Sequence, residues 1–343
     1  MAGPGSARPN LHVEPNMQKN KKLILLPAAM AKAGWAVAEA RDDIETRRFE
    51  DGDTPAAFRA LLAEADGIAL WGRPFTPDDT EAAPRLRVVS RIGVGYDAVD
   101  VPALTRRGIP LMIAGTANSV TVAEHAIFFM MALAKQAAVL DAMTRQNRWA
   151  ERLGVPIFDL FGKTVLIVGF GKIGTRVAAR CLAMEMTVLV HDPFVGADAI
   201  RARGAQPAPD LDAALRHADF VTIHCPKSPT TIGLFDAARI GRMKPTAYLV
   251  NTARGGIIDE PALYAALKSG RLAGAGLDVF AEEPTAPDNP LLTLPTLICA
   301  PHMAGVTRES LDRMAITAVQ NILGVLDGRT ERLNVVNKEV LPS

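Results

Sequence analysis

Short apolar runs alternate with longer amphipathic stretches along most of the chain after Lys22. Runs of about four to eight apolar residues are typical of strands that are buried on both faces of a parallel sheet. The longer amphipathic stretches are typical of helices, and strands that alternate with helices predict parallel strands joined by crossover connections. The pattern therefore predicts an α/β fold over nearly the whole chain.

The first series of alternating segments ends near Gly115, and a long apolar stretch at 118–135 follows it. This stretch begins with cap-type residues and then stays apolar, which predicts a buried helix. His125, Met130 and Met131 lie inside it, where packing in a core or an interface is the simplest interpretation. The first series consists of KLILL, a helix at 54–65, GIALW, RVVSRIG, a helix at 101–107 and IPLMIAG.

A second series begins at Lys163 and contains six apolar runs separated by helical segments. A doubly wound parallel sheet requires such a series, so it predicts a Rossmann-type domain. A further helix is expected at 308–326, and the terminal run ERLNVVNKEVL should pack on one of the two units. The second series consists of TVLIVGF, a helix at 171–184, MTVLVHD, a helix near 210–217, DFVTIHCP, AYLVNTARG, a helix at 260–269, AGAGLDVF and LICAPHMAG.

The length and composition narrow the class of protein. At 343 residues the chain is longer than a single core usually grows, which predicts two domains. Basic residues number 38 and acidic residues 37, so no strong field recruits nucleic acid or an anionic membrane. Three cysteines without a close pair favour neither a disulfide framework nor a zinc site, so we expect no metal and a reducing cytoplasm.

The N-terminal residues and the hydropathy pattern predict a cytoplasmic protein without a membrane span. Residues 1–20 contain Pro, Gly and charged residues but lack the apolar segment of a secretory signal, so we expect a flexible tail there. Nowhere do about 18 uncharged apolar residues follow one another, as a membrane-spanning helix requires.

A glycine-rich turn follows the first run of the second series. TVLIVGF leads directly into a G-x-G-x-x-G motif formed by Gly169, Gly171 and Gly174, and a helical segment follows. In this order Gly169 permits a tight turn, Gly171 lets the backbone approach a pyrophosphate, and Gly174 lets the helix pack closely on the strand. The positive end of the helix then offers free backbone N–H groups to the diphosphate. The motif therefore predicts a dinucleotide site.

The next strand, MTVLVHD, ends on Asp192, eighteen residues after Gly174. A carboxylate at this place accepts hydrogen bonds from the adenosine ribose and repels a 2′-phosphate, which favours NAD over NADP. The alternative interpretation is that Asp192 only caps the turn before Pro193.

Three polar residues follow later strands of the same series, where a doubly wound sheet binds its ligands. Arg254 offers a fork-shaped cation for a carboxylate, and His302 can donate or accept a proton near neutral pH. Glu283 can hydrogen-bond the other ring nitrogen and favour the protonated imidazole. Taken alone, His302 could be a structural histidine and Arg254 a surface ion-pair partner. Together they predict reduction of a 2-keto acid.

The segments GFGKIG, NTARGG, LDVFAEEP and APHMAG together resemble the D-isomer-specific 2-hydroxyacid dehydrogenases, over about residues 23–336. The resemblance implies that Arg254, Glu283 and His302 are catalytic and that the cofactor is NAD. The cofactor contacts it implies are Gly169, Gly171, Lys172, Ile173, Gly174, Asp192, Cys225, Pro226, Thr252, Ala253, Arg254, Asp278, His302 and Gly305.

The resemblance also implies how the domains are arranged. Two doubly wound parallel-sheet domains are expected, with a Rossmann NAD-binding domain at 117–305 inserted in a flavodoxin-like substrate domain formed by 21–116 and 306–343. The cleft would lie at the hinge, and members are usually homodimers through the cofactor domain. The substrate contacts it implies are Arg91, Gly93, Val94, Gly95, Arg254 and His302.

One departure from the family bears on the substrate. Phosphoglycerate dehydrogenases usually have a basic residue directly after the run that is IALW here, whereas this chain has Trp71 and Gly72, with Arg73 displaced and Arg91 still able to contribute. The expected substrate is a small D-2-hydroxy acid or 2-keto acid of the glyoxylate, hydroxypyruvate or 3-phosphoglycerate type. The alternative is an NAD-sensing interaction protein, similar to corepressors on the same fold.

Overall fold

A computed structural model describes residues 21–342, and the tail predicted at 1–20 lies outside the described residues. The chain forms two compact units. One is built from the described residues up to Ile113 and from Ala315 onward, and the other is Ala114–Met314. These boundaries lie at 113/114 and 314/315, whereas the sequence places them at 116/117 and 305/306.

The first unit contains a five-stranded parallel sheet with the strand order β2-β1-β3-β4-β5, the order of flavodoxin-like folds. Its strands are β1 (Lys22–Pro27), β2 (Ile44–Phe49), β3 (Gly67–Leu70), β4 (Val88–Arg91) and β5 (Leu111–Met112). The connecting helices are α1 (Lys32–Glu39), α2 (Pro55–Leu62), α3 (Pro77–Glu81) and α4 (Val101–Arg106).

Several helices of the first unit start at residues that satisfy the free backbone N–H groups of the first turn. Thr54 accepts a hydrogen bond from the backbone of Ala57, and Asp100 accepts one from Ala103, as N-cap residues do. Between helices and sheet lies a core that includes Phe49, Phe58 and Phe75, each almost fully buried. Burying one such side chain contributes about 1.5–3 kcal/mol, so this core holds the sheet and its helices together.

The second unit contains a seven-stranded parallel sheet with the strand order β12-β11-β10-β9-β6-β7-β8. Its strands are β6 (Thr164–Val168), β7 (Thr187–His191), β8 (Gln206–Pro207), β9 (Phe220–Ile223), β10 (Tyr248–Asn251), β11 (Gly274–Leu277) and β12 (Leu297–Cys299). Its helices are α5 (Ser119–Ala134), α6 (Ala137–Arg145), α7 (Gly174–Ala183), α8 (Ala197–Arg201), α9 (Leu211–Leu215), α10 (Ala237–Ile240) and α11 (Glu260–Lys268), with 3₁₀ turns at Trp149–Gly154 and Pro290–Thr293.

The strand order of the second unit is the Rossmann order with one strand added at the β12 edge. The order reverses between β6 and β9, which pair with each other in parallel. Ligands of open α/β sheets bind outside the carboxyl ends of the strands at such a reversal. The fold therefore places its ligand site beside the turn that follows β6, where the G-x-G-x-x-G motif lies.

The C-terminal residues of the chain pack on the first unit. The last helix, α12 (Arg308–Leu326), contacts its sheet, since a Cβ on Gly67 would lie 2.6 Å from Ile322. After the helix, Val336 donates a backbone hydrogen bond to Leu111, and the side chain of Asn337 accepts one from the backbone of Leu111. The prediction that the terminal run packs on one of the two units is confirmed, and 3₁₀ turns occur there at Arg332–Asn334 and Lys338–Val340.

The structure contains elements that the pattern of apolar runs does not predict. Strand β2 has charged residues at three of its six positions because it lies at the sheet edge, where only Ile44 and Phe49 are buried. The edge strand β8 has only two residues. Helix α7 begins at Gly174 instead of 171, because the three residues before it form the turn. The helices α1, α3, α6, α8 and α10 were not predicted either.

Within residues 21–342, no single helix is long and apolar enough to cross a membrane. The pair α5 and α6 meets the length and composition criteria together, with a bend of 58° between its two helices. Over the same residues, no group of three His, Cys, Asp or Glu side chains is arranged to hold a metal ion.

Candidate active site

The turn between β6 and α7 has the geometry of a dinucleotide-binding turn. Gly169 has φ +98°, and a Cβ there would lie 2.6 Å from the backbone nitrogen of Cys225, which follows the neighbouring strand β9. A Cβ on Gly174 would lie 2.0 Å from the carbonyl oxygen of Gly169. Gly171 differs from both, because no protein atom lies within 4 Å of its Cβ position. Two glycines are thus required by the protein, and the third leaves space for a ligand.

Asp192 follows β7, and its carboxylate accepts two backbone hydrogen bonds. One comes from Phe170 inside the glycine turn at 2.7 Å, and the other comes from Phe194 at 2.8 Å. The bond from Phe194 caps the turn at Pro193, as the alternative interpretation of Asp192 predicts. The first bond places the carboxylate against the glycine turn.

The residues after β9 complete this part of the site. Burial raises the pKa of the Cys225 thiol to about 11 and lowers the pKa of His224 to about 3, so both side chains are neutral at pH 7. The His224 ring hydrogen-bonds Thr222 through Nε2 at 2.9 Å. The site therefore presents uncharged groups beside the glycine turn, and Pro226 is exposed next to them.

Asn251, at the end of β10, shapes the turn that carries Thr252, Ala253 and Arg254. Its side-chain oxygen accepts a hydrogen bond from the backbone of Ala253, and its side-chain nitrogen donates one to the carbonyl oxygen of Arg254, both at 2.9 Å. Asn251 is 1% exposed, so these bonds satisfy a buried amide. Arg254 itself donates to the carbonyl oxygen of Ala253 at 2.7 Å and is half-buried.

The pair of Glu283 and His302 is the clearest chemical feature of the site. His302 Nδ1 lies 2.6 Å from Glu283 Oε2, and Glu283 Oε1 accepts a hydrogen bond from the backbone of Phe280 at 2.9 Å. The Glu283 carboxylate is therefore held in place by its own loop, and His302 Nδ1 is hydrogen-bonded to it. Nε2 lies on the other side of the ring, and the side chain is 50% exposed.

Asp278 lies at the end of β11, 1% exposed, and its carboxylate accepts backbone hydrogen bonds from Met303 and Ala304 at 2.7 and 2.8 Å. Burial raises the pKa of this carboxyl, whereas the two hydrogen bonds and the nearby His125 and His302 lower it. The side chain thus joins the loop after β11 to the loop after β12.

Buried polar atoms without a protein partner lie near these strand ends. Within the part of the chain that the structure describes, they include Thr252 Oγ1 after β10, His224 Nδ1 after β9, Asn118 Oδ1 before α5 and His125 Nε2 within α5. Buried polar groups are normally hydrogen-bonded, so such atoms indicate where ligand or water completes the site. With the glycine turn, they fit a dinucleotide with polar groups along its length.

The predicted cofactor and catalytic residues all follow strands of the second unit and meet at one edge of its sheet. Arg91, Gly93, Val94 and Gly95 lie in the first unit, after β4. There Arg91 donates to the carbonyl oxygens of Gly95, at 3.0 Å, and Trp71. The loop predicted to bind substrate is thus held by its own arginine.

Sequence reasoning missed the roles of Asn251 and His125 in this site. Asn251 stands inside the NTARGG segment, so an amide at the last position of a buried strand could have indicated a turn-forming residue. His125 was interpreted as a packing residue; it stacks edge-on against Phe129, yet it also lies close enough to Asp278 to influence the pKa of that carboxyl. Nothing in the sequence indicates that His125 and Asp278 lie close together.

The sequence is similar to those of known proteins. Residues 127–304 match the family model described as D-isomer specific 2-hydroxyacid dehydrogenase, NAD binding domain. The chain is 40% identical over 332 residues to a D-3-phosphoglycerate dehydrogenase of Mycobacterium leprae, which covers 93% of this chain and 61% of the relative. It is 38% identical over 277 residues to a glyoxylate reductase of Korarchaeum cryptofilum, covering 80% of this chain and 83% of the relative.

The fold is also similar to solved structures. The D-lactate dehydrogenase of Aquifex aeolicus, solved with NAD and lactic acid, superimposes with a TM-score of 0.82 at 27% identity, covering 93% of this chain and all of that chain. The chain spans between 52% and 61% of the length of the first phosphoglycerate dehydrogenase relatives that it matches.

Two glycines of the turn, Gly171 and Gly174, provide a matched test of the dinucleotide site. Gly171→Ala should leave the melting temperature unchanged and weaken NADH binding, because its Cβ meets only the space left for the ligand. Gly174→Ala should lower the melting temperature, because its Cβ would collide with the carbonyl oxygen of Gly169. Thermal unfolding and NADH fluorescence titration measure both effects. Equal NADH affinity in wild type and Gly171→Ala would contradict the assignment.

Proposed function

Since this chain belongs to the D-isomer-specific 2-hydroxyacid dehydrogenase family and carries its NAD-binding domain, we propose that it is an NAD-dependent oxidoreductase. It transfers a hydride between NAD(H) and C2 of a small D-2-hydroxy acid or 2-keto acid. The observation that supports this proposal is the 2.6 Å distance between His302 Nδ1 and Glu283 Oε2. The pair follows strands of the same sheet as the dinucleotide turn. An acid–base pair in that place is what reduction of a carbonyl needs.

The chain's own residues divide the chemistry among them. His302 protonates the carbonyl oxygen through Nε2 during reduction and removes the hydroxyl proton during oxidation. Glu283 holds the ring through Nδ1, which leaves Nε2 to exchange the proton with the substrate oxygen. Arg254 binds the substrate carboxylate with its fork of donors and polarises the carbonyl. When bound, NADH supplies the hydride that the carbonyl carbon accepts.

The cofactor would be held by the residues around the glycine turn. Backbone N–H groups at the start of α7 would meet the pyrophosphate, next to the open position of Gly171. Asp192 would accept hydrogen bonds from the adenosine ribose, since its carboxylate already lies against this turn. Thr252 and Asp278 would face the nicotinamide end. Direct contacts are also assigned to Lys172, Ile173, Cys225, Pro226, Ala253, Arg254, His302 and Gly305.

The charges of the first unit favour a substrate without a phosphate. Arg73 donates to the carbonyl oxygens of Asp51 and Asp53 and lies 4.1 Å from the Phe58 ring centre, so its guanidinium is engaged within the unit. The Asp51 carboxylate accepts a hydrogen bond from the backbone of Gly72 at 3.3 Å, which puts a negative charge beside Trp71. The Arg91 guanidinium donates to the carbonyl oxygen of Trp71 and offsets that charge, so this place has no excess of positive charge for a phosphate dianion, and glyoxylate or hydroxypyruvate is the better candidate.

A substrate panel tests the reaction and the substrate class separately. With NADH, we expect hydroxypyruvate to be reduced with a higher kcat/KM than 3-phosphohydroxypyruvate, which differs only by the phosphate. Trp71→Arg should raise the ratio of phosphorylated to free substrate by about tenfold or more, since a new charge-assisted contact is worth about 1.5–3 kcal/mol. Trp71→Gln removes the same ring without adding charge and is the matched control. Its ratio of phosphorylated to free substrate should be lower than that of Trp71→Arg.

The outcomes of the panel are distinct. NADH binding without turnover of any 2-keto acid would reject the dehydrogenase and favour the NAD-sensing alternative. Turnover with a preference for the phosphorylated substrate would keep the dehydrogenase and reject the proposed substrate class.

We also propose that the protein is a homodimer through its second unit and works in the cytoplasm. Large apolar side chains are exposed along one stretch of that unit, namely Phe128, Met131, Trp149, Leu153, Ile157 and Phe161. Such a concentration of exposed apolar residues is typical of an interface. The three cysteines are free thiols, which suits a reducing compartment.

Sedimentation of the purified chain tests the dimer. Phe128→Glu should produce a monomer, because it would bury a charge in the apolar contact. Leu333→Glu changes an even more exposed apolar residue, in the first unit, and should leave the dimer intact. A wild-type monomer, or a Phe128→Glu dimer, would contradict the proposed interface.

A further inference from the structure

His302 has a backbone conformation that residues with a side chain rarely adopt. Its φ is +56°, in the left-handed region, where Cβ comes too close to the following carbonyl oxygen. Asn, Asp and His adopt this conformation more often than other residues with a side chain, and Asn and Asp can relieve its strain with local hydrogen bonds. The conformation therefore persists only if surrounding contacts hold it, and such strain tends to occur at functional sites.

The backbone contacts that hold it come from one residue, whereas the imidazole is bonded to Glu283. The carbonyl oxygen of Asp278 accepts the backbone hydrogen bond of His302 at 2.8 Å. The two carboxylate oxygens of Asp278 accept those of Met303 and Ala304, one each, at 2.7 and 2.8 Å. Three consecutive N–H groups of the loop are thus bonded to a single aspartate. Hydrogen bonds to an ionised acceptor are stronger than neutral ones, so this set is suited to hold a strained loop.

Asp278 is itself fixed on both sides. Its backbone N–H donates to the carbonyl oxygen of Asn251 at 3.0 Å, which ties it to the end of β10. It is 1% exposed, and His125 of α5 is close enough to interact with its charge. Because the buried Asp278 carboxylate is fixed, the loop of residues 302–304 takes the conformation that allows its N–H groups to reach it.

We propose that Asp278 is a positioning residue that holds His302 in its left-handed conformation and so keeps the imidazole against Glu283. This inference rests on the proposed function for its kinetic consequence, and goes beyond the cofactor contact already assigned to Asp278. In Asp278→Asn one oxygen becomes an NH₂ group that faces a backbone N–H donor. The backbone bond from His302 remains, but one of the bonds from Met303 and Ala304 is lost, so this clamp on the loop loosens and residue 302 relaxes to an ordinary backbone conformation.

The strain itself provides a test that needs no activity. With Asp278 in place, His302→Gly should melt about 2–4 °C above His302→Ala, because glycine adopts positive φ without strain. In the Asp278→Asn background the gain should vanish or reverse, because a relaxed loop has no strain to relieve and glycine only adds entropy to the unfolded chain. Comparing glycine with alanine removes the imidazole in both proteins, so its charge does not contribute.

Met303 provides the control, because its φ is not positive. Met303→Gly should melt below Met303→Ala in both backgrounds. If His302→Gly is no more stable than His302→Ala when Asp278 is present, or if its advantage survives Asp278→Asn, the clamp is rejected.

Kinetics separate positioning from cofactor contact. Asp278→Asn should lower kcat for hydroxypyruvate by about 10²-fold, the loss expected when a catalytic group moves by about 1 Å. The Kd of NADH, measured by fluorescence, follows the assigned cofactor contact separately and should change by much less than kcat. A loss confined to NADH affinity would overturn the proposal. If wild type reduces no 2-keto acid, the proposed function fails, and the melting comparison still decides the clamp.

Discussion

The constraint on which the site of the second unit depends is the approach of α7 to the end of β6. The carbonyl oxygen of Gly169 lies so close to Gly174 that a methyl group between them would overlap it, and Gly169 also touches the backbone of Cys225 on the next strand. This approach places the start of α7 at the point where the strand order reverses. The positive helix end, the carboxylate of Asp192 and the polar turns after the other strands then share one edge. Every assigned role in the second unit depends on that arrangement.

Buried polar residues fix the turns that carry His302 and Arg254. His302 is half exposed, whereas the residues that set its loop and the neighbouring turn, Asp278 and Asn251, are buried. The side chain of Asp278 hydrogen-bonds the backbone of the loop that carries His302, and the side chain of Asn251 hydrogen-bonds the backbone of the turn that carries Arg254. Losing such a partner costs the full desolvation of a buried atom, so these turns have few alternative conformations. The exposed side chains thus remain accessible to a ligand while their backbone stays in place.

Much of this organisation could be predicted from the sequence. Runs such as TVLIV are buried on both faces, so apolar content alone identifies the central strands. The glycine spacing identified the turn, because close backbone approach is a property that only glycine supplies. The edge strand β2 escaped prediction because Arg47 and Arg48 suit an edge but not an apolar run. The hydrogen bonds of Asp278 to the loop of His302 could not be predicted, since they join residues brought together only by strand order.

The central claim is that His302, held by Glu283, moves the proton of the reaction. Initial rates of the wild-type enzyme in both directions, measured from about pH 5 to pH 10, test it most directly. Reduction needs the protonated ring and should fall as pH rises, whereas oxidation needs the neutral ring and should fall as pH drops. His302→Asn should bind NADH and lose about 10²- to 10⁴-fold in kcat in both directions. Profiles that fall on the same side in both directions, or near wild-type turnover in His302→Asn, would show that another group moves the proton.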